Sequence, residues 1–270
     1  MERREQVEYL IERLLEDMPR LRSQAASVPQ DGPSRRRLLR ALMNVRPPLP
    51  LEPDFLAVQD ELLRAEREER GVVDAAALPT VPGHPELVLW QGDITRLRAD
   101  AIVNAANAAL LGCFVPCHGC IDNAIHSAAG LQLRDECSRI MEAQGHPEPA
   151  GRAKLTKGHA LPARYVLHTV GPIVQGRVTP RDRAELASCY RSCLELAAEH
   201  GLGSVAFCCI STGEFRFPAE EAAEIAVRTV TDLLRQGIPI EKVIFDVFKE
   251  SDERIYRRIL GADRTAERGP

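Results

Sequence analysis

From Glu86 onward, short apolar runs alternate with longer amphipathic ones, and this alternation restricts the fold more than any other feature of the chain. The strand-like runs are LVLW, AIVNAA, KLT, YVLHTV, SVAFCC and KVIFDVF. Helical spacing of apolar residues marks 122–144, 184–200, 219–236 and a last segment from about 252. Strands separated by helices do not pair as hairpins, so the pattern predicts an α/β fold with helices on both faces of a mixed, largely parallel sheet. Ligands of such sheets bind at the carboxyl ends of the strands. The segments that follow strands are therefore the candidate site: QGDIT, NAANAALLGCFVPCHGCID, STGEFRFP and the end of KVIFDVF.

Composition narrows the function. The 270 residues are 44% hydrophobic, enough for a sizeable core. The net charge is -4 and Lys/Arg are interspersed with Asp/Glu, so no basic face suits a polyphosphate backbone and no nucleic-acid partner is expected. The segment MERREQVEYLIERLLEDMP has neither a signal-peptide apolar block nor an arginine-rich, acid-poor transit composition. No run is long and apolar enough for a bilayer, and the expectation is a cytoplasmic protein whose eight cysteines are thiols or metal ligands. Near residue 80 the composition shifts. Before it, 2–18, 34–45 and 54–70 read as amphipathic helices separated by MPR, PQDGPS and RPPLPLEP, and LPTVPGHP is the best linker. The expected division is a helical extension, 1–80, docked by its apolar stripe, and a main domain, 81–265.

The least ordinary stretch is GCFVPCHGC, 112–120. Cys113, His118 and Cys120 follow C-x4-H-x-C, and thiolates with an imidazole suit tetrahedral Zn2+. Three protein ligands leave a position open, which fits a catalytic ion better than a structural one. Cys117 is the alternative donor, although it adjoins His118 and neighbouring side chains do not readily converge on one ion. A redox CxxC or a set of unrelated thiols are the other readings. Cys137, Cys189, Cys193, Cys208 and Cys209 fall on helices or an apolar strand and read as packing residues.

Several polar residues have both a plain and a functional reading. Asp122 follows the last ligand candidate and opens a helix, where it can cap or complement the dipole as well as act in chemistry. Asn104 and Asn107 end a strand; Asn104 is read as a turn residue that bonds backbone. His126, one turn after Asp122, suits helix packing and function equally. Asp93 can be a turn acid, and Ser211-Thr212-Gly213 precedes a helix beginning with Pro218, which presents N–H groups to phosphate. Phe217 reads as core.

Taken in order, QGDIT (91–95), AIVNAAN (101–107), IDNAIHSAAG (121–130), HTVGP (168–172) and ISTGEFRFP (210–218) resemble the motifs of macrodomains, the ADP-ribose-binding three-layer α/β/α fold, over roughly residues 86–262. One departure is clear. Most macrodomains carry a glycine run where this chain has the longer Cys/His insert, which with the helical extension resembles the zinc-containing bacterial branch of macrodomain ADP-ribosyl hydrolases. The resemblance favours Cys113 over Cys117 as ligand. It implies catalytic roles for Asp122, near the scissile bond, and Asn107, against the ribose. It also implies that Asp93 and neighbouring Ile94 meet adenine, that Ser211, Thr212, Gly213 and Glu214 cradle the diphosphate, that Phe215 packs on the distal ribose, and that Phe248 stacks on adenine. The implied activity is zinc-dependent hydrolysis of mono-ADP-ribose from protein side chains, with an ester-type bond to Asp/Glu. Relatives of this branch are associated with sirtuin-like transferases and lipoyl-carrier proteins. A reader of ADP-ribose without turnover, with zinc bracing the loop, and a deacetylase of O-acetyl-ADP-ribose are the alternatives.

Overall fold

Burial separates the central strands from the edges. In β4 (Ala101–Ala105), β6 (Tyr165–Thr169), β7 (Ser204–Phe207) and β8 (Lys242–Val247) nearly every position is buried in unbroken succession, as parallel strands covered on both faces require. β2 (Leu87–Gln91) and β5 (Ala153–Lys157) are only partly covered and form the two edges. The sheet order is β2-β8-β7-β4-β6-β5, parallel throughout except that β5 runs antiparallel to β6. A two-residue strand β1 (Val73–Asp74) pairs with β3 (Leu97–Arg98) outside this sheet. This computed structural model describes residues 1–261, so the expected domain end at 265 lies outside the described residues.

Helices α7 (Pro180–Glu199), α8 (Ala219–Arg235) and α9 (Glu250–Ile259) pack side by side from β5 across to β2. On the other face, α5 (Ile121–Ala129) rests on β4 and α6 (Leu131–Gln144) on β5. The one helix expected over 122–144 is thus two. Gly130 breaks it with φ 94 and ψ 172, a conformation open to glycine and outside any helix. Apolar spacing continues across the break, and the first N–H of α6, on Leu131, is capped from elsewhere, by Gln59 Oε1 at 3.0 Å. α7 starts earlier than expected, at Pro180, because Thr179 and Asp182 form a reciprocal capping box.

The first seventy residues fold into α1 (Arg3–Asp17), a short α2 (Arg22–Ala26), α3 (Gly32–Val45) and α4 (Pro53–Arg70). Their apolar stripes meet in a core of their own, centred on Leu10, Ile11, Leu14, Leu39 and Leu62, and Leu131 and Ala160 of the following chain complete it. Polar contacts fix the docking: besides Gln59, Arg67 Nη1 donates to Ala160 O at 3.1 Å. The stretch read as a linker is pinned, since Val81 is buried and its N–H donates to Leu87 O at 2.7 Å. Among the described residues no helix is long and apolar enough to cross a membrane.

Candidate functional site

Asp122 sits at the carboxyl ends of the central strands, on the first turn of α5, with only 5% of its surface exposed. Each carboxylate oxygen faces an asparagine amide. Asn104 Nδ2 donates to Oδ1 at 2.8 Å, and Asn107 Nδ2 reaches Oδ2 at 3.3 Å while also donating to Gly112 O at 3.1 Å. The turn role expected of Asn104 is corrected here: it lies within β4, fully buried, and its side chain bonds Asp122 rather than backbone. Capping by Asp122 is corrected as well, because Cys120 is the N-cap and its Sγ accepts the Asn123 N–H at 3.4 Å. Burial pushes the Asp122 carboxyl up to about 6, against the pull of Asn104, Arg134 and Asn107.

Behind Asp122 lie two neutral histidines. Burial holds His168 down at about 3; Asn104 Nδ2 faces its Nδ1 at 3.2 Å, so the Nε2–H points to Thr156 Oγ1 at 2.8 Å. His126 is held well below its ordinary value by burial, then by His168 and Arg134. Its Nε2 stands 3.5 Å from Asp122 Oδ1, and neither ring nitrogen makes a hydrogen bond. His126, Cys137 and His168 form a buried group of possible metal donors, but Asn104 and Thr156 already occupy both nitrogens of His168.

The loop from 106 to 120 carries the second set. The donor atoms of Cys113, His118 and Cys120 lie within 4.8 Å of one another, and Cys113 Sγ is 3.7 Å from His118 Nδ1. A sulfur and a nitrogen bound to one tetrahedral zinc stand about 3.5 Å apart, so this donor set fits the ion with little movement. Burial, followed by proximity to Cys113, pushes the Cys120 thiol up to about 11, and the N–H of Asn123 only partly opposes it. That is unlike the acidified thiol of a redox pair, and a bound cation would offset it. Cys117 turns away: its N–H donates to Asn44 Oδ1 at 2.9 Å and its thiol to Arg37 O at 3.5 Å.

Across the cleft, the turn after β7 is strained in a way that exposes main chain. Ser211 and Arg216 have φ of 65 and 59, and Ser211 Oγ is buried without a partner. Gly171 passes so close that a Cβ there would lie 2.0 Å from Ser211 Oγ. The N–H groups of Gly213, Glu214 and Phe215 meet no acceptor among the described residues, and Gly213 and Glu214 are exposed. Such a row of free N–H groups can serve as an anion cradle. Glu214 Oε1 comes within 3.7 Å of His118 Nε2, so this turn and the Cys/His loop face each other.

The far end is sparser. Asp93 Oδ1 accepts from Thr95 N–H at 3.0 Å and Thr95 Oγ1 at 2.7 Å, while Oδ2 faces Arg70 Nη1 at 3.4 Å. Ile94 is 1% exposed and belongs to the hydrophobic core. Phe248, just past β8, is 77% exposed; Phe215 packs partly on the core and Phe217 wholly within it.

The Macro domain family pattern matches residues 103–226. A protein-ADP-ribose hydrolase of Treponema medium is 49% identical over 262 residues, covering 96% of this chain and all of that protein. The chain belongs to the macrodomain family. A second protein-ADP-ribose hydrolase, from Staphylococcus aureus, is 46% identical over 256 residues, covering 94% of this chain and 96% of the relative. Among solved structures, the Trypanosoma brucei macrodomain in complex with ADP-ribose is 34% identical with a TM-score of 0.65, over 79% of this chain and 92% of that one. An Oceanobacillus iheyensis macrodomain mutant with ADPR is 39% identical with a TM-score of 0.60, over 66% and 94%.

Within this macrodomain the Cys/His loop and the Glu214 turn face each other and Asp122 directly follows that loop, while among the described residues Asp93 and Phe248 make no hydrogen bond or ion pair with either. Sequence reasoning missed Asn104, Asn123 and Arg134 as supports of that carboxylate and its loop. It also missed Asp246, which is buried beside Asp93 with Oδ1 unpartnered and which burial pushes well above the carboxylate range. A lone polar residue inside an apolar strand, Asn in AIVNA and Asp in KVIFDV, was the available signal.

Proposed function

We propose that this macrodomain is a hydrolase that removes mono-ADP-ribose from modified protein side chains, with zinc held by Cys113, His118 and Cys120. The observation that carries the reading is the placement of a buried, doubly braced carboxylate two residues after a three-donor Cys/His set, whose loop faces the anion cradle. A protein that only bound ADP-ribose would need the cradle and the adenine end but not this pairing.

The reaction adds water across the bond between the anomeric carbon of the distal ribose and a side-chain oxygen, giving ADP-ribose and a free carboxyl group. Main-chain N–H groups of 213–215 bind the diphosphate, and Asp93 accepts from the adenine amine. Asn107 bonds a ribose hydroxyl and, with Asn104, fixes the direction of the Asp122 carboxylate, which takes the proton of the attacking water. His168 stays neutral and holds Asn104 in register. Zinc, when bound, supplies a Lewis acid that polarises an oxygen at this end of the cleft. Glu214, facing His118 Nε2, orients that imidazole. An ester linkage to Asp/Glu is the expected substrate, a lipoyl-carrier protein modified by a sirtuin-like transferase the expected partner, and the cytoplasm, where thiols stay reduced, the expected compartment.

Metal analysis combined with release of ADP-ribose from ester-linked protein, with and without a chelator, tests the reading. About one zinc per chain and chelator-sensitive release are expected. Binding of ADP-ribose with no release from any linkage would put a reader in its place, and release of acetate alone from O-acetyl-ADP-ribose a deacetylase.

A further inference from the structure

The loop that carries the three donors has no helix or strand, so its backbone groups must be held by something else. Part of that support comes from the main domain. Asn123 Nδ2 donates to Val115 O at 3.0 Å and Cys113 O at 3.4 Å, and Arg134 Nε donates to Leu111 O at 2.7 Å. The rest comes from α3, seventy residues away in sequence. Arg40 Nη2 donates to Asn123 Oδ1 at 2.8 Å and lies 3.4 Å from His118 O. Asn44, one turn further along the same helix face, accepts the Cys117 N–H at 2.9 Å and donates to Ser127 Oγ at 3.0 Å. Arg134 closes the frame by donating to Met43 O at 2.8 Å and Arg46 O at 2.6 Å, at the end of α3.

One of these contacts holds strain. Cys117 has φ 52, a left-handed conformation unfavourable for a residue with a side chain, and it immediately precedes His118. Its N–H is fixed by Asn44, which is 1% exposed, and its thiol is drawn to α3 and away from the donor set. The N–H one residue before His118 is therefore anchored by Asn44, and the carbonyl of His118 itself faces Arg40. A strained backbone persists only where its surroundings over-determine it, and here those surroundings belong to the extension.

We infer that Arg40 and Asn44 of α3 are positioning residues for the Cys113/His118/Cys120 set, so that the helical extension forms the outer wall of the site. The inference deepens the zinc reading and shares its loop, but the contact between Asn44 and Cys117 can be read without metal. Residues behind metal ligands set both ligand geometry and retention of the ion, and losing one typically lowers affinity about 10- to 100-fold.

The test uses the full chain and three variants: Arg40→Ala, Asn44→Ala and Asn44→Asp, the last keeping the oxygen that accepts the Cys117 N–H. Leu10→Val, in the buried core of the extension and far from the loop in sequence, is the control for general loosening. The first readout is amide hydrogen exchange at Cys117 in metal-free protein. Asn44→Ala should speed it about tenfold or more, with Asn44→Asp and Leu10→Val near wild type. The second is the thiolate-to-cobalt absorption of Co(II)-substituted protein and the rate of zinc transfer to a chromophoric chelator. Arg40→Ala and Asn44→Ala should shift the spectrum and release zinc about 10- to 100-fold faster than wild type or Leu10→Val. Unchanged Cys117 exchange in Asn44→Ala overturns the inference, as does equal loosening by Leu10→Val. If wild type binds neither cobalt nor zinc, the zinc reading fails, and the exchange result alone decides whether α3 holds the loop.

Discussion

The two facing loops of the cleft are built on opposite plans. The turn around Ser211 to Phe215 offers main-chain N–H groups and depends on clearance, with Gly171 leaving no room for a Cβ. The Cys/His loop offers side chains, and its own main chain is tied down by α3, α5 and α6. Main-chain donors are fixed once a turn takes its path, so a short motif specifies them. Side-chain donors need every backbone atom behind them fixed as well, and that recruits residues far away in sequence. The same cleft therefore combines a locally encoded half and a half whose backbone is held in part by the helical extension.

The largest effects should fall on the second half. Cys120→Ala and His118→Ala should lose zinc and lower ADP-ribose release more than about 10³-fold, measured on folded protein with metal content determined in parallel. Zinc kept by Cys113→Ser and lost by Cys117→Ser would reverse the ligand assignment. Gly171→Ala should act on the first half alone. It should weaken ADP-ribose binding in calorimetry on the order of 10- to 100-fold, the loss of one or two hydrogen bonds to a charged group, and leave zinc content unchanged. Loss of zinc in this variant would join the two halves and break the contrast.

A smaller, pH-dependent effect arises beneath both loops. His168 titrates at about 3 in the fold and near 6.5 when unfolded. Between these values the unfolded chain binds the extra proton, so His168 contributes stability that is present above 6.5 and lost as pH falls toward 3. Its share is about 1.4 kcal/mol per pH unit within that window. Denaturant unfolding at pH 7 and pH 5 should show this loss shrinking in His168→Gln; an identical loss in both proteins would mean the ring is protonated in the fold. The smallest effect belongs to Cys117→Ser. It should keep zinc and turnover near wild type, since the thiol faces Arg37 O and the N–H that Asn44 holds is retained.

Much of this was legible in the sequence, for identifiable reasons. The central strands read as unbroken apolar runs because parallel strands are covered on both sides, and the turns after them carried the motifs. The break at Gly130 was not legible, because the apolar spacing runs through it and the compensating cap is Gln59, in another helix. The site divides in the same way. Asp122, Asn107 and the three donors stand together in one stretch of chain, whereas Asn104 reads locally as a turn residue and Arg40, Asn44 and Arg134 carry no local signal. Their meaning depends on which helix packs against the loop, which periodicity does not encode.

The central claim is that the Asp122 carboxylate acts in the reaction and is more than a support. Asp122→Asn tests it most directly, because the amide oxygen keeps an acceptor for Asn104 or Asn107 while the charge is lost. The measurement is ADP-ribose release from ester-linked protein by wild type and variant at equal zinc content, with melting temperature and ADP-ribose affinity determined alongside. The account predicts zinc retained, affinity within a factor of about three, and release about 10²- to 10⁴-fold slower. Release at the wild-type rate with zinc in place would contradict it and leave Asp122 a structural residue.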